Sequence, residues 1–262
     1  MKVIDFRKKK DAEKKISMVT CYDFWSAQII EDCDIDCILV GDSLAMIMHG
    51  YSNTIPATVE LIASHVKSVC SGAPSKFIVA DMPFLSVRSG LGDAVRSVDA
   101  LLKAGAHAVK IEGIAGHRDI VEHIVQSGVP VMGHLGLTPQ SIHQLGGFKV
   151  QGKVDSEVER LTRQAEEVES AGCFALVLEC IPSNVASTVS NGLTIPTIGI
   201  GAGSETDGQV LVLHDLLGLT SKFEAKFVRK YLKGRELMLE ALERFDHDVK
   251  SGAFPSQEES YK

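Results

Sequence analysis

No stretch of the 262-residue chain approaches the roughly 20 apolar residues that a membrane-crossing helix needs. Its opening, Met1-Lys2-Val3-Ile4-Asp5, lacks the basic-then-apolar order of a secretory signal. There is no excess of positive charge either: 27 Lys and Arg stand against 34 Asp and Glu, a formal net charge of -7. That balance argues against nucleic acid or an anionic membrane as a partner and leaves small molecules as the expected ones. The single basic run, Arg7-Lys8-Lys9-Lys10, is followed by Asp11 and Glu13 and reads as a solvated start. The six cysteines, Cys21, Cys33, Cys37, Cys70, Cys173 and Cys180, contain no CxxC pair. Reduced thiols in a cytoplasmic protein are expected, in preference to disulfides or a zinc cluster. Gly199-Ile200-Gly201-Ala202-Gly203 lacks both the helix-opening GxGxxG form and the Lys-Ser/Thr of a P-loop, so it is weak grounds for an anion cradle. No break in composition marks a second domain, and residues 1–262 are read as one barrel domain with a C-terminal helical extension.

What is present is a repeat of short apolar runs between longer amphipathic segments. The expected strands are Met18–Cys21, Cys37–Val40, Phe77–Ala80, Ala108–Ile111, Val129–Met132, Ala175–Leu178, Thr197–Ile200 and Val210–Leu213. Most are almost continuously apolar, as parallel strands covered on both faces must be. Eight of them alternating with helical patterns predict an α/β fold, the (β/α)₈ TIM barrel. Asp93 and the Ser156-Glu157-Val158-Glu159 box read as helix starts; Gly105, Gly128 and Gly172 read as stops. Glu224–Val249 has a helical pattern. Residues 104–112 and 171–179 share one layout, a helix stop, a short turn and an apolar strand ending in glutamate.

Polar residues collect at the ends of these runs. Asp42-Ser43 follows Ile38-Leu39-Val40-Gly41, Asp81 follows Ala80, Glu112 follows Ile111, His134 follows Gly133, and Glu179 follows Leu178. In an eight-stranded barrel, the C-terminal strand ends share one mouth, where active sites sit. Lys110 and Glu112 are two apart in one strand and therefore point to the same face. Two readings stand for each residue. Asp42 and Asp81 suit a hard cation such as Mg²⁺ with retained water, or they cap helices. Lys110 receives an anionic substrate group, or it is half of a buried ion pair. Glu179, flanked by Leu178, Cys180 and Ile181, has the apolar setting that raises a carboxyl pKa and suits a general base, or it pairs with a basic neighbour. The segment after His134, through Gly146-Gly147, is a mobile lid or an ordered loop.

Eight segments carry a family resemblance. They are Thr20-Cys21-Tyr22-Asp23, Gly41-Asp42-Ser43-Leu44, Val79-Ala80-Asp81-Met82-Pro83-Phe84, Val109-Lys110-Ile111-Glu112-Gly113, the run from Pro130 to Gln140, Leu178-Glu179-Cys180-Ile181-Pro182, Ile198 to Gly203, and Asp207 to Asp215. Their order and wording resemble the ketopantoate hydroxymethyltransferase family of the phosphoenolpyruvate/pyruvate barrel superfamily. The resemblance implies hydroxymethyl transfer from 5,10-methylenetetrahydrofolate to 3-methyl-2-oxobutanoate. It implies Mg²⁺ at Asp42 and Asp81 with Glu112 in the same metal environment. It also implies keto-acid binding by Asp42, Ser43, Asp81 and Lys110, Glu179 as proton acceptor, and a homo-oligomer, typically a decamer. His134 lies at the mouth without an assigned step. Two positions depart from the family pattern: Ala45 stands where glycine is expected, and Glu259 where many relatives have histidine. The alternatives are another Mg²⁺-dependent 2-keto acid lyase or mutase of the superfamily, and a non-catalytic barrel; the complete carboxylate set argues against both.

Overall fold

Eight branched, apolar segments become parallel strands: β1 (Ile16–Thr20), β2 (Cys37–Val40), β3 (Phe77–Asp81), β4 (Ala108–Glu112), β5 (Val131–Gly136), β6 (Ala175–Glu179), β7 (Thr197–Ile200) and β8 (Gly208–Leu211). In this computed structural model, which describes residues 1–220 and 225–261, each strand pairs with the next and β8 closes on β1. The expected (β/α)₈ barrel is thus complete within one compact unit, Met1–Leu211.

The helices of this unit follow in chain order. They are α1 (Val3–Asp11), α2 (Phe24–Glu31), the single turn α3 (Leu44–Ile47), α4 (Val59–Gly72), α5 (Leu91–Lys103) and α6 (Arg118–Gln126). After β5 come a 3₁₀ turn (Pro139–Ser141), α7 (Ile142–Leu145) and α8 (Asp155–Ser170), and after β6 comes α9 (Ser183–Gly192). The exception to alternation is the β7–β8 connection, residues 201–207, where no helix intervenes. Two expected helix starts move. α5 begins at Leu91 and α8 at Asp155, so neither Asp93 nor Ser156 is the cap. Asp93, Asp155 and Glu157 instead place negative charge in first turns, where the helix dipole favours it.

Alternate residues of every strand turn inward and form one apolar plug. It comprises Ile16, Met18, Cys37, Leu39, Phe77, Val79, Ala108, Met132, Ala175, Val177, Ile198 and Val210. Phe6 of α1 completes the plug, edge-on to Phe77 and Phe174 at centroid separations of 5.3 and 5.0 Å. The N-terminal basic run is therefore only half solvated. Arg7 and Lys8 are exposed, but the Lys10 ammonium donates to Ser190 O, Ile195 O and Asp207 Oδ2 at 2.8–3.1 Å, and Lys9 pairs with Asp36. Amphipathicity of a single turn decides this: Phe6 buries, and lysines beside it reach carbonyls around it.

Strand β8 starts two residues before the expected Val210–Leu213, and Leu213 opens the next helix. Gly208 looks like a breaker, yet a Cβ there would fall 2.5 Å from Ile16 O, so glycine is what lets β8 approach β1. All six cysteines are free, with Cys21, Cys37 and Cys173 buried.

Val212–Lys262 is a second compact unit, holding α10 (Leu213–Leu216) and α11 (Gly234–Ser251). The expected helix from Glu224 begins only at Gly234; Glu224 itself lies outside the described residues. The amides of Tyr231, Gly234 and Arg235 donate to Leu216 O, Leu217 O and Gly218 O, which holds this stretch against the end of α10 in place of a helical turn. No described helix is long and apolar enough to cross a membrane.

Candidate active site

The inward alternation that builds the plug also delivers the chemistry. Two residues beyond Val79 is Asp81; beyond Ala108 come Lys110 and Glu112; beyond Met132 is His134; beyond Val177 is Glu179. Register carries the same pattern across strands, with Asp81 opposite Lys110 and Glu112 opposite His134. The barrel interior thus changes from hydrocarbon to charge at its C-terminal end.

Two linked groups result. In the first, Lys110 Nζ lies 2.7 Å from Asp81 Oδ1, with both side chains only 4% exposed. Asp81 Oδ2 accepts the Asp42 amide at 2.9 Å. The Asp42 carboxylate does not cap α3, whose N-cap position is Ser43; its Oδ2 accepts from Gln140 Nε2 at 2.8 Å. Ser43 Oγ shares a 2.7 Å hydrogen bond with the buried Tyr22 hydroxyl. In the second group, His134 stands between two glutamates, Nδ1 at 3.4 Å from Glu112 Oε1 and Nε2 at 3.1 Å from Glu179 Oε2. Lys110 Nζ is 3.2 Å from His134 Nδ1 and joins the groups.

Burial and charge set the protonation of this cluster. Burial first, then the charges of Asp81 and Glu112, push the Asp42 carboxyl well above the usual carboxylate range. Burial also raises Asp81, against the pull of Lys110. For Lys110, burial acts downward but Asp81, Glu112 and Asp42 together outweigh it, so the ammonium is held charged. For Glu112, burial acts upward and is outweighed by His134, Lys110 and the Gln140 amide. His134 is pushed up to about 9: burial and Lys110 act downward, and the two glutamates outweigh them.

The His134 value has a stability consequence with a definite sign. Its proton is bound more tightly in the folded chain than at the ordinary value of 6.5, so the stabilisation is fully present below pH 6.5 and is lost as pH rises through about 9. In EDTA, the thermal midpoint is expected to fall on the order of 5 °C across that window. Scanning fluorimetry of His134→Gln beside the parent should show the slope flattened; an equal slope in both would assign it elsewhere.

Glu179 is 17% exposed and its closest charged partner is His134, not the basic Arg or Lys that a purely structural carboxylate would engage. Backbone geometry fixes it. Gly136, at φ +94°, is paired with Glu179, and a Cβ on it would sit 2.2 Å from Glu179 O, a clash that no side chain could relieve. Cys180 follows in the left-handed region at φ +47°, and burial, with the Glu179 charge, pushes its thiol up to about 12, which leaves it unreactive.

Gln140 was not among the expected site residues, and it touches three of the strand ends. Its side-chain amide donates to Asp42 Oδ2 and to Met82 O at 2.9 Å, and its backbone N–H donates to Glu112 Oε2 at 3.0 Å. Tyr22 stands out in the sequence only as part of the Thr20-Cys21-Tyr22-Asp23 motif. The signals in the sequence are Pro139, which opens the turn carrying Gln140, and the place of Tyr22 directly after the expected strand Met18–Cys21.

The donor set fits a hard cation. Asp42 and Asp81 are buried oxygen donors side by side, and Asp81 Oδ1, though close to the Lys110 ammonium, makes no aligned hydrogen bond. Among the described residues, no group of three or more His, Cys, Asp or Glu is arranged to hold a metal by itself. Two carboxylates without thiolate or imidazole ligands beside them suit a hard cation such as Mg²⁺ better than zinc, which favours nitrogen and sulfur donors.

The family profile described as ketopantoate hydroxymethyltransferase matches residues 1–257. A 3-methyl-2-oxobutanoate hydroxymethyltransferase of Coxiella burnetii (strain CbuK_Q154) is 54% identical over 259 residues, covering 98% of this chain and 97% of that protein. The enzyme of the same name from Legionella pneumophila (strain Lens) is 52% identical over 262 residues, covering 100% of both. Among solved structures, a phosphonopyruvate hydrolase complexed with oxalate and Mg²⁺ superposes with a TM-score of 0.64 at 11% identity, covering 99% of this chain and 93% of that one. A 2,3-dimethylmalate lyase gives 0.63 at 16%, covering 94% and 88%. Those two likenesses establish the barrel alone, so the lyase and mutase alternatives have only a shared fold in their favour. Matched from end to end by sequence, the chain belongs to the ketopantoate hydroxymethyltransferase family.

Proposed function

We propose that this protein transfers a hydroxymethyl group from 5,10-methylenetetrahydrofolate to 3-methyl-2-oxobutanoate, giving 2-dehydropantoate (ketopantoate) for pantothenate biosynthesis, with Mg²⁺ as cofactor. The observation that carries the reading is the order of groups at the mouth. A charged lysine pairs with the buried Asp81, whose other oxygen accepts the amide of the buried Asp42, and beyond the lysine a histidine faces a partly exposed glutamate. A 2-keto acid has this order of needs: charge for its carboxylate, polarisation for its carbonyl, and a base for the hydrogen next door.

Asp42 and Asp81 are the residues that would hold Mg²⁺, with Glu112 in the same environment, its own oxygens engaged by Gln140 and His134. When bound there, Mg²⁺ supplies Lewis-acid polarisation to a 2-keto acid's oxygens. Lys110 and Ser43 hold the keto acid, Lys110 by charge and Ser43 through a hydroxyl oriented by Tyr22. Glu179 takes the proton from C3. The bond broken at carbon is C3–H, and the bond formed joins C3 to the folate's one-carbon unit. Water supplies the hydroxyl oxygen, and tetrahydrofolate leaves as both carbon–nitrogen bonds to the methylene break, its two nitrogens ending with the C3 proton and one proton of the water. A cytoplasmic location and a homo-oligomer, the decamer implied by the family pattern, complete the proposal.

Incubation with both substrates and Mg²⁺, followed by mass spectrometry, should yield 2-dehydropantoate and tetrahydrofolate in equal amounts. Consumption of the keto acid with a different product would replace the reading with a lyase or mutase activity. Lys110→Met tests the carboxylate contact separately, since it keeps bulk and removes charge. Hydrogen bonds to charged groups contribute about 1.5–3 kcal/mol, so keto-acid affinity should fall at least about tenfold. Calorimetry giving the parent affinity in a folded Lys110→Met variant would leave Lys110 as the structural partner of Asp81.

A further inference from the structure

We infer that Gln140 is a positioning residue that aims the Asp42 and Glu112 carboxylates, making the turn at Pro139–Ser141 part of the site's metal-binding geometry. The inference rests on the Mg²⁺ reading above and assigns a role to a residue that reading leaves idle. Gln140 is the point where the loop after β5 meets the ends of three other strands. The two hydrogens of its amide nitrogen go to Asp42 Oδ2 at 2.8 Å and Met82 O at 2.9 Å. Its backbone N–H goes to Glu112 Oε2 at 3.0 Å. One residue therefore ties the segment after β2, the residue after β3 and the end of β4 to a single rigid turn. Pro139 at the start of that turn fixes φ and removes a competing donor.

The chemistry of the amide explains why glutamine suits the position. Asp42, Asp81 and Glu112 are three buried carboxylates that repel one another, and an unrestrained Asp42 would swing away from its neighbours. A lysine or arginine in place of Gln140 would fix Asp42 equally well, but its charge would compete with an incoming cation. A glutamate would add a further like charge. A neutral donor orients one Asp42 oxygen without cancelling the negative charge that attracts a divalent ion. The Met82 carbonyl supplies the second anchor, so the amide cannot rotate away without losing two hydrogen bonds at once. The turn's backbone does the same for Glu112, independently of the Gln140 side chain.

The test uses Gln140→Met, which keeps length and loses both side-chain donors, and Gln140→Ala as a second variant, each checked for native circular dichroism. Mn²⁺ is titrated by electron paramagnetic resonance in the absence of substrates, so the readout does not depend on turnover. Mn²⁺ affinity is expected to fall about tenfold, because a hydrogen bond to a charged group is lost. In kinetics, the Mg²⁺ concentration for half-maximal rate should rise by a similar factor, with kcat at saturating Mg²⁺ within about threefold of the parent. Parent-like Mn²⁺ affinity in either folded variant would overturn the assignment. So would a kcat loss that saturating Mg²⁺ does not recover, since that is the mark of general structural damage. If the parent chain itself binds no Mn²⁺, the metal reading fails, and Gln140 falls with it for that separate reason.

Discussion

In Glu179→Gln, turnover is expected to fall by roughly 10²–10⁴-fold while keto-acid and Mg²⁺ binding persist, the usual share of general-base catalysis. The substitution is nearly isosteric, and its amide still offers a polar neighbour to His134 Nε2, 3.1 Å away in the parent. The strand that positions it is unaffected, because Gly136 and the Leu137 amide constrain the Glu179 backbone, the latter by a 2.8 Å hydrogen bond to its carbonyl. Chemistry and architecture are therefore separable at this residue. Proton removal is also observable without folate, as exchange of the C3 hydrogen of 3-methyl-2-oxobutanoate with D₂O followed by NMR. Exchange should fall in parallel with turnover. Exchange at the parent rate in Glu179→Gln would make another group the base, and His134 would be the next to test.

The barrel is legible in the sequence because its signal is local: short, mostly apolar runs, each closed by a polar residue or glycine. The two-residue period alone puts Lys110 and Glu112 on one face, and both side chains are buried at the mouth. The expected strand Val129–Met132 stops short of the end of β5 at Gly136. The strand instead runs on through His134, with Gly136 required by its approach to Glu179. The sequence places His134 at the mouth, but its stance between Glu112 and Glu179 depends on β4, β5 and β6 being in register, which local pattern does not encode. Gln140 was illegible for a different reason. A glutamine in a turn has no periodicity, and its partners come from strand ends 58 and 98 residues away in sequence. The early start assigned to α11 fails because hydrogen bonds to the end of α10 compete with helical ones, a choice that sequence pattern does not encode.

Removal of divalent metal is expected to reduce turnover to background, and addition of Mg²⁺ or Mn²⁺ to restore it, whereas Zn²⁺ should not support full activity on an oxygen donor set. The two aspartates should then behave oppositely in the metal-free protein. Asp81 is the nearest anion to the Lys110 ammonium, at 2.7 Å, so Asp81→Asn leaves a buried cation short of its partner. Breaking such a pair typically costs about 3–5 kcal/mol, less whatever Glu112 and Asp42 compensate. Asp42 has the reverse problem: burial and two neighbouring carboxylates already disfavour its charge. Asp42→Asn keeps size, removes that repulsion, and is expected to stabilise the metal-free fold by ~0.5–2 kcal/mol while abolishing metal-supported turnover. Such an exchange of stability for function is what a cation-binding carboxylate shows and a structural one does not. Chemical denaturation in EDTA, paired with Mg²⁺-dependent activity, measures both halves. Undiminished turnover in fully chelated protein would remove the metal from the reaction. A destabilised Asp42→Asn would instead make Asp42 a structural carboxylate held by Gln140.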